Sequence, residues 1–503
     1  MRVANARWRW RLAVLLAGAL LTLAFAPFGY WPLAILCPAL LMWCWQGGTP
    51  RQAAALGFWF GVGLFSAGTW WLYISIHTIA AAPLWLTLLL ILAMITLMAS
   101  YYALLGAISA WVLPPGVCWR MLAGLPALWL LDEWCRGWFL SGFPWLSLGY
   151  SLVDSPLAGY APVLGVYGLS GLALWQAGAL LAAWRGTATV RATAVLLSVA
   201  LWVGGWVLGR ISWTVPHGAP VLVAILQGAI PQDEKWQLDN LEPTKLRYRA
   251  LNDQSAGARL IVWPESAIPE LANLLAPYLA DIQASSRARN TDVVMGVVRL
   301  GDNGRDYYNS ILALTGVGAA FYDKRHLVPY SEFLPVPSFV RQWLRLMNLP
   351  YADFTSGSEL QTPLLAGGLK LAPSICYEDG FGSAQLALVR ASDALVNVTN
   401  DAWFGHSPAR YQHLQIARMR ALETGRYLLR AGNDGISAII GPRGELLATA
   451  PEYRPALLRG TVLPMGGLSP YVRLGNWPVL VLALLGLAGA GWHRRVWVSV
   501  RAP

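Results

Sequence analysis

The sequence predicts a multispan α-helical membrane bundle that carries one extramembrane α/β domain. Of its 503 residues, 56% are hydrophobic and 13% are charged, and the mean hydropathy is +0.46. An ordinary soluble protein has about 25% charged residues. Residues 1–212 contain only three acids, whereas the segment 213–471 holds most of the acids and alternates β-rich runs with helical stretches. These two compositions predict two kinds of structure in one chain.

Several apolar runs are long enough to cross a bilayer, which requires roughly 20 apolar residues in a helix. No charged residue lies between Arg11 and Arg51, or between Arg51 and Arg120, so each interval has room for two or more spans. The first run resembles a secretory signal, but apolar sequence resumes at once, which indicates an uncleaved span. The fifth is interrupted by Asp132 and Glu133. We predict eight spans, near 10–26, 30–46, 53–75, 82–112, 120–134, 163–184, 192–211 and 476–493.

The arginines predict the orientation. With eight spans, the basic loops and both termini fall on one side, which the bias of basic residues identifies as cytoplasmic. We therefore expect 213–471 on the periplasmic face of a bacterial inner membrane; an odd number of spans would place it inside. The net charge of +11 includes no basic stripe interleaved with aromatic residues, so we expect no nucleic-acid partner.

Three domains follow from this pattern. We predict a transmembrane bundle of about seven helices in 1–212, a periplasmic catalytic domain in 213–471, and a final transmembrane helix with a cytoplasmic tail in 472–503. The middle segment alternates strands with helices, which is typical of α/β layers, and is large enough for its own core. Its predicted strands are Val221–Leu226, Leu260–Trp263, Asp292–Val298, Ser310–Leu314, Ala319–Tyr322, Leu369–Ile375, Ala394–Val398 and Ser437–Ile440. Its predicted helices are Glu242–Asn252, Pro269–Arg287 and Tyr411–Thr424.

Cys376 is the candidate nucleophile. It follows a predicted buried strand and precedes a helical pattern, so helix N-terminal amides can stabilise its thiolate. The other four cysteines lie in or beside apolar segments, and no cysteine or histidine spacing indicates a metal site. The alternative for a single cysteine is a buried structural thiol.

Two further strand ends carry reactive side chains. Glu265 follows the apolar run 260–262, and Lys324 follows another predicted strand. Side chains at strand carboxyl ends converge in α/β sheets. Glu265 would act as general base and Lys324 would stabilise an oxyanion together with the backbone N–H of Tyr377. Taken singly, Glu265 is better interpreted as a helix-capping acid and Lys324 as a surface lysine in an ion pair; their occurrence with Cys376 in one domain favours a catalytic site.

The motifs around these residues carry a family resemblance. The order WPES (263–266), YDKRHLVPYSE (322–332) and SICYED (374–379) resembles the nitrilase superfamily of carbon–nitrogen hydrolases, which implies an αββα sandwich for the extramembrane domain. Phe25–Gly29, Glu133–Arg136 and Gly142–Trp145 are similar to the apolipoprotein N-acyltransferase family, as is a nitrilase-like domain between seven spans and a final one.

This resemblance implies a ping-pong acyl transfer. Cys376 would take an acyl chain from a membrane phospholipid as a thioester and release a lysophospholipid. The α-amine of an S-diacylglyceryl cysteine at the N-terminus of an apolipoprotein would then accept the chain. Glu265 is the implied base and Lys324 the implied oxyanion stabiliser. No cofactor or metal is implied, and we expect a monomer.

The resemblance also assigns supporting residues. Glu332 matches the superfamily's second glutamate, and Glu378 is a further acid beside the nucleophile. Trp236 and Tyr377 are implied to line the substrate side. Arg136 fits a role in headgroup binding or site support at the junction of bundle and domain.

Apolar stretches near the motifs are candidates for a mobile lid. Phe333–Val336 and Phe339–Leu344 would form a membrane-facing lid, with ordinary packed loops as the equal alternative. Asn400–Gly405 would shape the pocket or, equally, form a turn before a helix.

Two other functions compete with acyl transfer. A membrane-anchored nitrilase-type amidase that uses water would need the same three residues, but not the multispan region with Arg136. A transporter or receptor with an outer domain usually keeps ionisable residues inside its spans, whereas the first four predicted spans carry no charge beyond Arg11 at the start of the first. A purely structural scaffold would leave Glu265, Lys324 and Cys376 unexplained.

Overall fold

The computed structural model describes residues 7–114, 119–333 and 354–501. Contacts within the chain divide it into two compact units. The helical unit comprises Met1–Trp213, Phe404–Met419 and Ser469–Pro503. The α/β unit comprises Thr214–Trp403 and Arg420–Leu468.

The helical unit contains most of the α-helices. They are α1 (Arg7–Leu21), α2 (Leu33–Cys44), α3 (Pro50–Gly68), α4 (Leu84–Val112), α5 (Leu125–Arg136), α6 (Leu148–Ser151), α7 (Ala161–Arg185) and α8 (Ala188–Leu208). The start of α3 is fixed locally: Thr49 and Gln52 form a capping box, and Pro50 occupies the first helical position.

Small residues allow α3 and α4 to pack closely. A side chain at Gly57 of α3 would overlap the carbonyl of Tyr102, and one at Gly106 of α4 would overlap the carbonyl of Ala53. Close backbone approach through glycine is a common means of helix association in membranes. The two glycines therefore fix how these helices meet.

Among the described residues, three helical stretches are long and apolar enough to cross a membrane: Leu84–Val112, Pro156–Arg185 and Ala188–Leu208. Eight spans are therefore not confirmed and stay a prediction. The expected span 30–46 contains α2, a helix of 12 residues, and the expected span 120–134 overlaps α5, also of 12 residues, which continues directly from the π-helical turn Arg120–Gly124. The last turns of α5 carry Asp132, Glu133 and Arg136, so its apolar length is shorter still.

The α/β unit is built on two six-stranded sheets. The first has the order β12-β11-β10-β9-β8-β7 and the second the order β13-β2-β3-β4-β5-β6, while β1 pairs with β14. The strands are β1 (Val215–Pro216), β2 (Val221–Gln227), β3 (Leu260–Val262), β4 (Asp292–Leu300), β5 (Tyr307–Thr315), β6 (Gly318–Asp323), β7 (Leu364–Ala366), β8 (Leu369–Ile375), β9 (Ala394–Thr399), β10 (Leu428–Gly432), β11 (Ala438–Ile440), β12 (Leu446–Thr449), β13 (Ala456–Val462) and β14 (Met465–Gly466).

The central strands of each sheet are parallel, and the outer strands are antiparallel. β2, β3 and β4 run parallel in the second sheet, and β8, β9 and β10 do so in the first. The sheets lie against each other: the Ser437 hydroxyl, just before β11, donates to Gln227 Oε1 of β2 over 2.8 Å. This arrangement brings strand ends of both sheets to one region.

The remaining helices are α9 (Gln232–Lys235), α10 (Leu241–Gln254), α11 (Ala276–Ala288), α12 (Gly382–Arg390), α13 (Ala409–Thr424), α14 (Pro470–Leu474) and α15 (Trp477–Arg501). Tyr248 of α10 and Ile282 of α11 are buried in one apolar cluster with Ile261 of β3 and Val293 of β4. Helices therefore cover the second sheet, as the αββα expectation requires.

Eight predicted strands match observed strands, with small differences at their ends. The predicted helix Pro269–Arg287 begins later, at Ala276, because the preceding segment bonds to β4: the Ala267 and Ala272 N–H groups donate to the carbonyls of Gly296 and Val298. The prediction also missed six strands, including β10, whose run of apolar residues is interrupted by the buried Arg430.

Candidate active site

Glu265, Lys324 and Glu332 meet in a buried pocket of the α/β unit. Lys324 Nζ lies 2.8 Å from Glu332 Oε1 and 3.8 Å from Glu265 Oε1. Glu265 follows β3, Lys324 follows β6, and all three residues are buried. The fold thus brings together three charged groups that lie up to 67 positions apart in the chain.

Asn309 of β5 links the members of this pocket, and the sequence gave no reason to single it out. Its Nδ2 donates to Glu265 Oε1 over 2.8 Å and to Glu332 Oε1 over 2.9 Å. Its backbone carbonyl accepts from the Lys324 N–H over 2.8 Å. The available signal was an amide residue directly before the predicted apolar strand that begins at Ser310.

Cys376 occupies a strained backbone position at the end of β8. Its φ angle of 51° lies in the left-handed region, which residues with a side chain rarely adopt, and a short 3₁₀ helix, Cys376–Gly380, starts there. The side chain is partly exposed, and the Thr399 hydroxyl of β9 is in hydrogen-bond contact with the thiol. The strand-then-helix setting predicted for Cys376 is confirmed.

Opposing charges act on the thiol and on the lysine. Burial, followed by the negative charge of Glu265, raises the pKa of the Cys376 thiol well above its usual range, and Lys324 partly offsets this. Burial disfavours the charged form of Lys324, but the carboxylates of Glu332 and Glu265 outweigh it and raise the pKa of that ammonium. The thiol is therefore protonated and the lysine positively charged at neutral pH.

Glu378 ties the lysine loop to the cysteine turn. Its carboxylate accepts from the Ile375 N–H over 2.8 Å, from the Arg325 N–H over 2.9 Å and from the His326 N–H over 3.2 Å. The Tyr322 hydroxyl donates to both of its oxygens. Burial raises the pKa of Glu378, and the charge of Lys324 and the three backbone donors partly counteract that effect. The residue therefore sets the relative position of Lys324 and Cys376.

A buried ionic network lies behind Cys376. The Arg430 guanidinium donates to Asp401 Oδ2 over 2.8 Å and to Asn397 Oδ1 over 2.9 Å. The Asn397 amide in turn donates to the Cys376 carbonyl over 3.5 Å, and Asp401 follows β9. Asp401 lies in the predicted segment Asn400–Gly405, whereas Arg430 escaped the sequence analysis because a charge within an apolar strand resembles a strand end.

The other predicted site residues lie in different settings. Tyr377 is partly exposed, with its ring 5.1 Å from that of Phe381, and Trp236 is 53% exposed directly after α9. Arg136 belongs to the helical unit and is buried. Its guanidinium donates to the carbonyls of Phe143 and Trp145 over 2.6 and 2.7 Å, and to Ser147 Oγ over 3.1 Å.

The lid and pocket segments are tested only in part. Phe339–Leu344 and all but the first residue of Phe333–Val336 lie outside the described residues. Of Asn400–Gly405, the Asn400 amide donates to Gln232 Oε1 over 2.6 Å, which fixes it beside α9.

Two family models match this chain, one in its N-terminal helical region and one in its α/β region. The family model for the apolipoprotein N-acyltransferase N-terminal domain matches residues 17–179, and the carbon–nitrogen hydrolase model matches residues 222–462. The protein is thus a membrane-associated acyltransferase with a nitrilase-like domain.

Relatives match over nearly the whole chain. The apolipoprotein N-acyltransferase of Methylococcus capsulatus is 41% identical over 489 residues, and that of Pseudomonas putida is 40% identical over 496 residues; each alignment covers 96% of both chains. The chain belongs to the apolipoprotein N-acyltransferase family. Among solved structures, a carbon–nitrogen hydrolase from Helicobacter pylori G27 aligns with a TM-score of 0.37 at 16% identity, covering 56% of this chain and 95% of that one.

Proposed function

We propose that this protein N-acylates lipoproteins by a ping-pong reaction with a thioester at Cys376. The acyl chain comes from a membrane phospholipid, and the acceptor is the α-amine of an N-terminal S-diacylglyceryl cysteine. The observation that carries the proposal is the buried pocket in which Lys324 lies within 3.8 Å of both Glu265 and Glu332 and acts electrostatically on Cys376.

In the first half-reaction the thiol proton passes to Glu265 as the Cys376 sulfur attacks the ester carbonyl. The carbonyl oxygen becomes an oxyanion, which Lys324 and the Tyr377 N–H stabilise. The C–O bond then breaks, and the leaving alkoxide takes the proton from Glu265. The products are a thioester on Cys376 and a lysophospholipid.

In the second half-reaction the neutral α-amine attacks the thioester carbonyl. Glu265 accepts a proton from the nitrogen, and Lys324 again faces the oxyanion. The C–S bond breaks, and the Cys376 sulfur recovers its proton from Glu265. The product is an amide, and the site returns to its starting state.

The raised pKa of the Cys376 thiol suits this cycle. A protonated thiol is unreactive until Glu265 is positioned to take its proton, so the resting site does not attack adventitious electrophiles. The charge on Lys324 persists through both half-reactions because the Glu332 carboxylate stays 2.8 Å from its Nζ while Glu265 carries the transferred proton.

Membrane attachment favours transfer over hydrolysis. Both substrates are held in the same bilayer as the enzyme, so each meets the site at a high effective concentration without tight binding. A cleft that admits acyl chains and excludes water also protects the thioester. From the bias of the arginines we infer that 213–471 lies on the periplasmic face of the inner membrane, between the bundle in 1–212 and the final span in 472–503, and that the protein acts as a monomer.

The supporting residues have separate roles in this proposal. Glu332 holds Lys324, and Glu378 positions the Lys324 loop against the Cys376 turn. Trp236 and Tyr377 contact the substrate side. Arg136 supports the loop 143–147 of the helical unit, because its guanidinium is engaged by that loop.

Intact-protein mass spectrometry tests the mechanism. The detergent-purified protein is incubated with phospholipid and no amine acceptor. A mass increase of one acyl chain, absent in Cys376→Ala and removed by a diacylglyceryl peptide, is the expected result. Free fatty acid without an adduct would instead favour a lipid-facing hydrolase. If neither the adduct nor free fatty acid forms, phospholipid is rejected as the donor.

A further inference from the structure

Lys235 is a buried cation beside Glu265 for which the proposed chemistry has no role. It is the last residue of α9 and is 1% exposed. Its Nζ donates to the backbone carbonyl of Glu265 over 3.1 Å, the single side-chain hydrogen bond that it makes among the described residues. The structure thus places a second ammonium group at the general base, in addition to Lys324.

This position is unfavourable for stability by itself. Burial lowers the pKa of Lys235 to about 8, and the negative charge of Glu265 only partly opposes that effect. A buried ammonium group with one carbonyl partner keeps much of its desolvation cost, and an apolar side chain of similar volume at such a site is often neutral or stabilising. We therefore expect Lys235 to contribute to activity and not to the stability of the folded protein.

The charges of the pocket indicate where that contribution lies. Glu265 and Glu332 face Lys324, whose Nζ is 1.0 Å closer to Glu332 than to Glu265 (2.8 against 3.8 Å). With Lys324 alone, two buried carboxylates share one cation. Lys235 adds a second cation, which bonds to the backbone carbonyl of Glu265, the residue whose carboxylate is the more distant from Lys324.

We propose that Lys235 is a positioning residue for Glu265: its ammonium group fixes the backbone at Glu265 and supplies the positive charge that keeps this carboxylate ionised as the proton acceptor. The inference rests on the proposed function, because it assigns the base role to Glu265. A cation near a carboxylate favours its ionised form, so Lys235 extends proton abstraction to lower pH.

Other charged groups around the pocket also act on Glu265 and Cys376. Lys324, Glu332 and Cys376 face Glu265 from the segments after β6 and β8, and Asp401 after β9 acts on Cys376. On α9 itself, Asp233 and Glu234 are exposed, so solvent screens them. Lys235 is the ionisable side chain of α9 that is buried at the site.

The helix that carries Lys235 has a second anchor. The Gln232 Oε1 atom at the start of α9 accepts a hydrogen bond of 2.6 Å from Asn400, which follows β9. Loss of the Lys235 charge therefore leaves α9, and Trp236 after it, attached to the first sheet. The effect of removing the charge is expected in kcat, with KM nearly unchanged.

The test compares the pH dependence of transfer in three variants of the full-length protein. Lys235→Met removes the charge at similar volume, Lys235→Arg retains it, and Lys370→Met removes an exposed lysine on β8 as the matched control. The assay follows acylation of a diacylglyceryl peptide by phospholipid in detergent micelles, and acyl-adduct mass is recorded without the peptide. Thermal unfolding is measured for each protein.

For Lys235→Met we expect the acidic limb of the pH–rate profile to move up by about one pH unit, which is about a tenfold loss of rate on that limb. Its unfolding temperature should equal or exceed that of the wild type, and Lys235→Arg and Lys370→Met should keep the wild-type limb. A merely structural lysine would instead lower stability and raise KM without moving the limb.

Each contrary result has a distinct meaning. An unmoved limb in a folded Lys235→Met protein overturns the inference while leaving the proposed function intact. Equal losses in the Met and Arg variants, or an unfolded Lys235→Met protein, overturn it as well, because the charge would then not be the deciding property. Absence of an acyl adduct in the wild type rejects the proposed function, and the inference with it.

Discussion

The Glu378 carboxylate accepts a hydrogen bond of 2.9 Å from the backbone N–H of Arg325, a residue 53 positions earlier in the chain. Arg325 directly follows Lys324, and Glu378 lies two residues after Cys376. The bond therefore joins the segment after β6 of one sheet to the segment after β8 of the other. Through this hydrogen bond, the two sheets hold Lys324 and Cys376 in a fixed position relative to each other.

Glu378→Gln should disrupt this connection. Each carboxylate oxygen accepts from N–H donors, so an amide NH₂ in either orientation must face one of them. We expect a loss of about 1–3 kcal/mol in the free energy of unfolding, as for a buried donor left unsatisfied, together with a fall in kcat. Unfolding and acyl-transfer assays measure the two effects. Glu242→Gln, at an exposed glutamate of α10, is the control; equal behaviour of the two variants would refute the role of Glu378.

Asn309→Leu should impair transfer because it removes a donor shared by two carboxylates. The side-chain amide bridges Glu265 and Glu332 at 2.8 and 2.9 Å. Hydrogen bonds to charged groups contribute about 1.5–3 kcal/mol each, so we expect kcat to fall at least about tenfold. Asn303→Ala, in an exposed turn, is the matched control. Wild-type kinetics in a folded Asn309→Leu protein would show that the lysine alone holds the carboxylates.

Lys324→Ala should lower kcat by about 10²–10³, as for the loss of one oxyanion donor. It also leaves Glu265 and Glu332 without their shared cation, so the unfolding temperature should fall. Steady-state kinetics and thermal unfolding measure both, with Lys370→Ala at an exposed lysine of β8 as control. A near-normal rate would assign the oxyanion to backbone amides.

Cys376→Ala should abolish transfer while leaving the fold intact, because the thiol is proposed as the nucleophile and not as a core residue. The unfolding temperature and the acylation of a diacylglyceryl peptide are the two measurements. Retained acyl transfer in this variant would exclude a thioester at Cys376.

Glu265→Gln should move two activities in opposite directions. The negative charge of Glu265 raises the pKa of the Cys376 thiol. Its removal lowers that pKa, increases the thiolate fraction at pH 8 and speeds alkylation of Cys376 by iodoacetamide. Acyl transfer should nevertheless fall by about 10²–10⁴ because the base is lost. Peptide mass spectrometry reads out alkylation at Cys376. A parallel fall of both activities would mean that Glu265 acts on the thiol in another way, and Glu234→Gln provides the surface control.

Stability should depend on pH through Lys235. Its pKa in the folded protein is about 8, against 10.5 for the free side chain. Between these values the unfolded chain binds more protons, so this residue makes the free energy of unfolding rise with pH. The unfolding temperature of Lys235→Met should exceed that of the wild type most below pH 8, and the difference should shrink as pH approaches 10.5. A difference in unfolding temperature that does not change with pH would contradict the expected cost of burying the Lys235 charge.

The strands were predictable where local pattern decides structure. Runs of mainly apolar residues made β3 and β8 predictable; the candidate site residue Glu265 lies three residues after the end of β3, and Cys376 directly follows β8. The strand β10 was missed because Arg430, buried by its ion pair with Asp401, looks exposed in a sequence. The late start of α11 was missed because the segment before it bonds to β4, a contact that local propensity does not encode.

The sequence by itself predicted the apolar N-terminal region, the α/β domain and the candidate site residues Glu265, Lys324 and Cys376, because hydrophobic periodicity and short motifs are local properties. Only the tertiary structure decided which groups surround them. Asn309 and Lys235 acquire their places through hydrogen bonds to residues 44 and 30 positions away. Which groups become partners depends on how the strands pair and the sheets stack. Burial then strengthens the electrostatic interactions among the charged groups of the site.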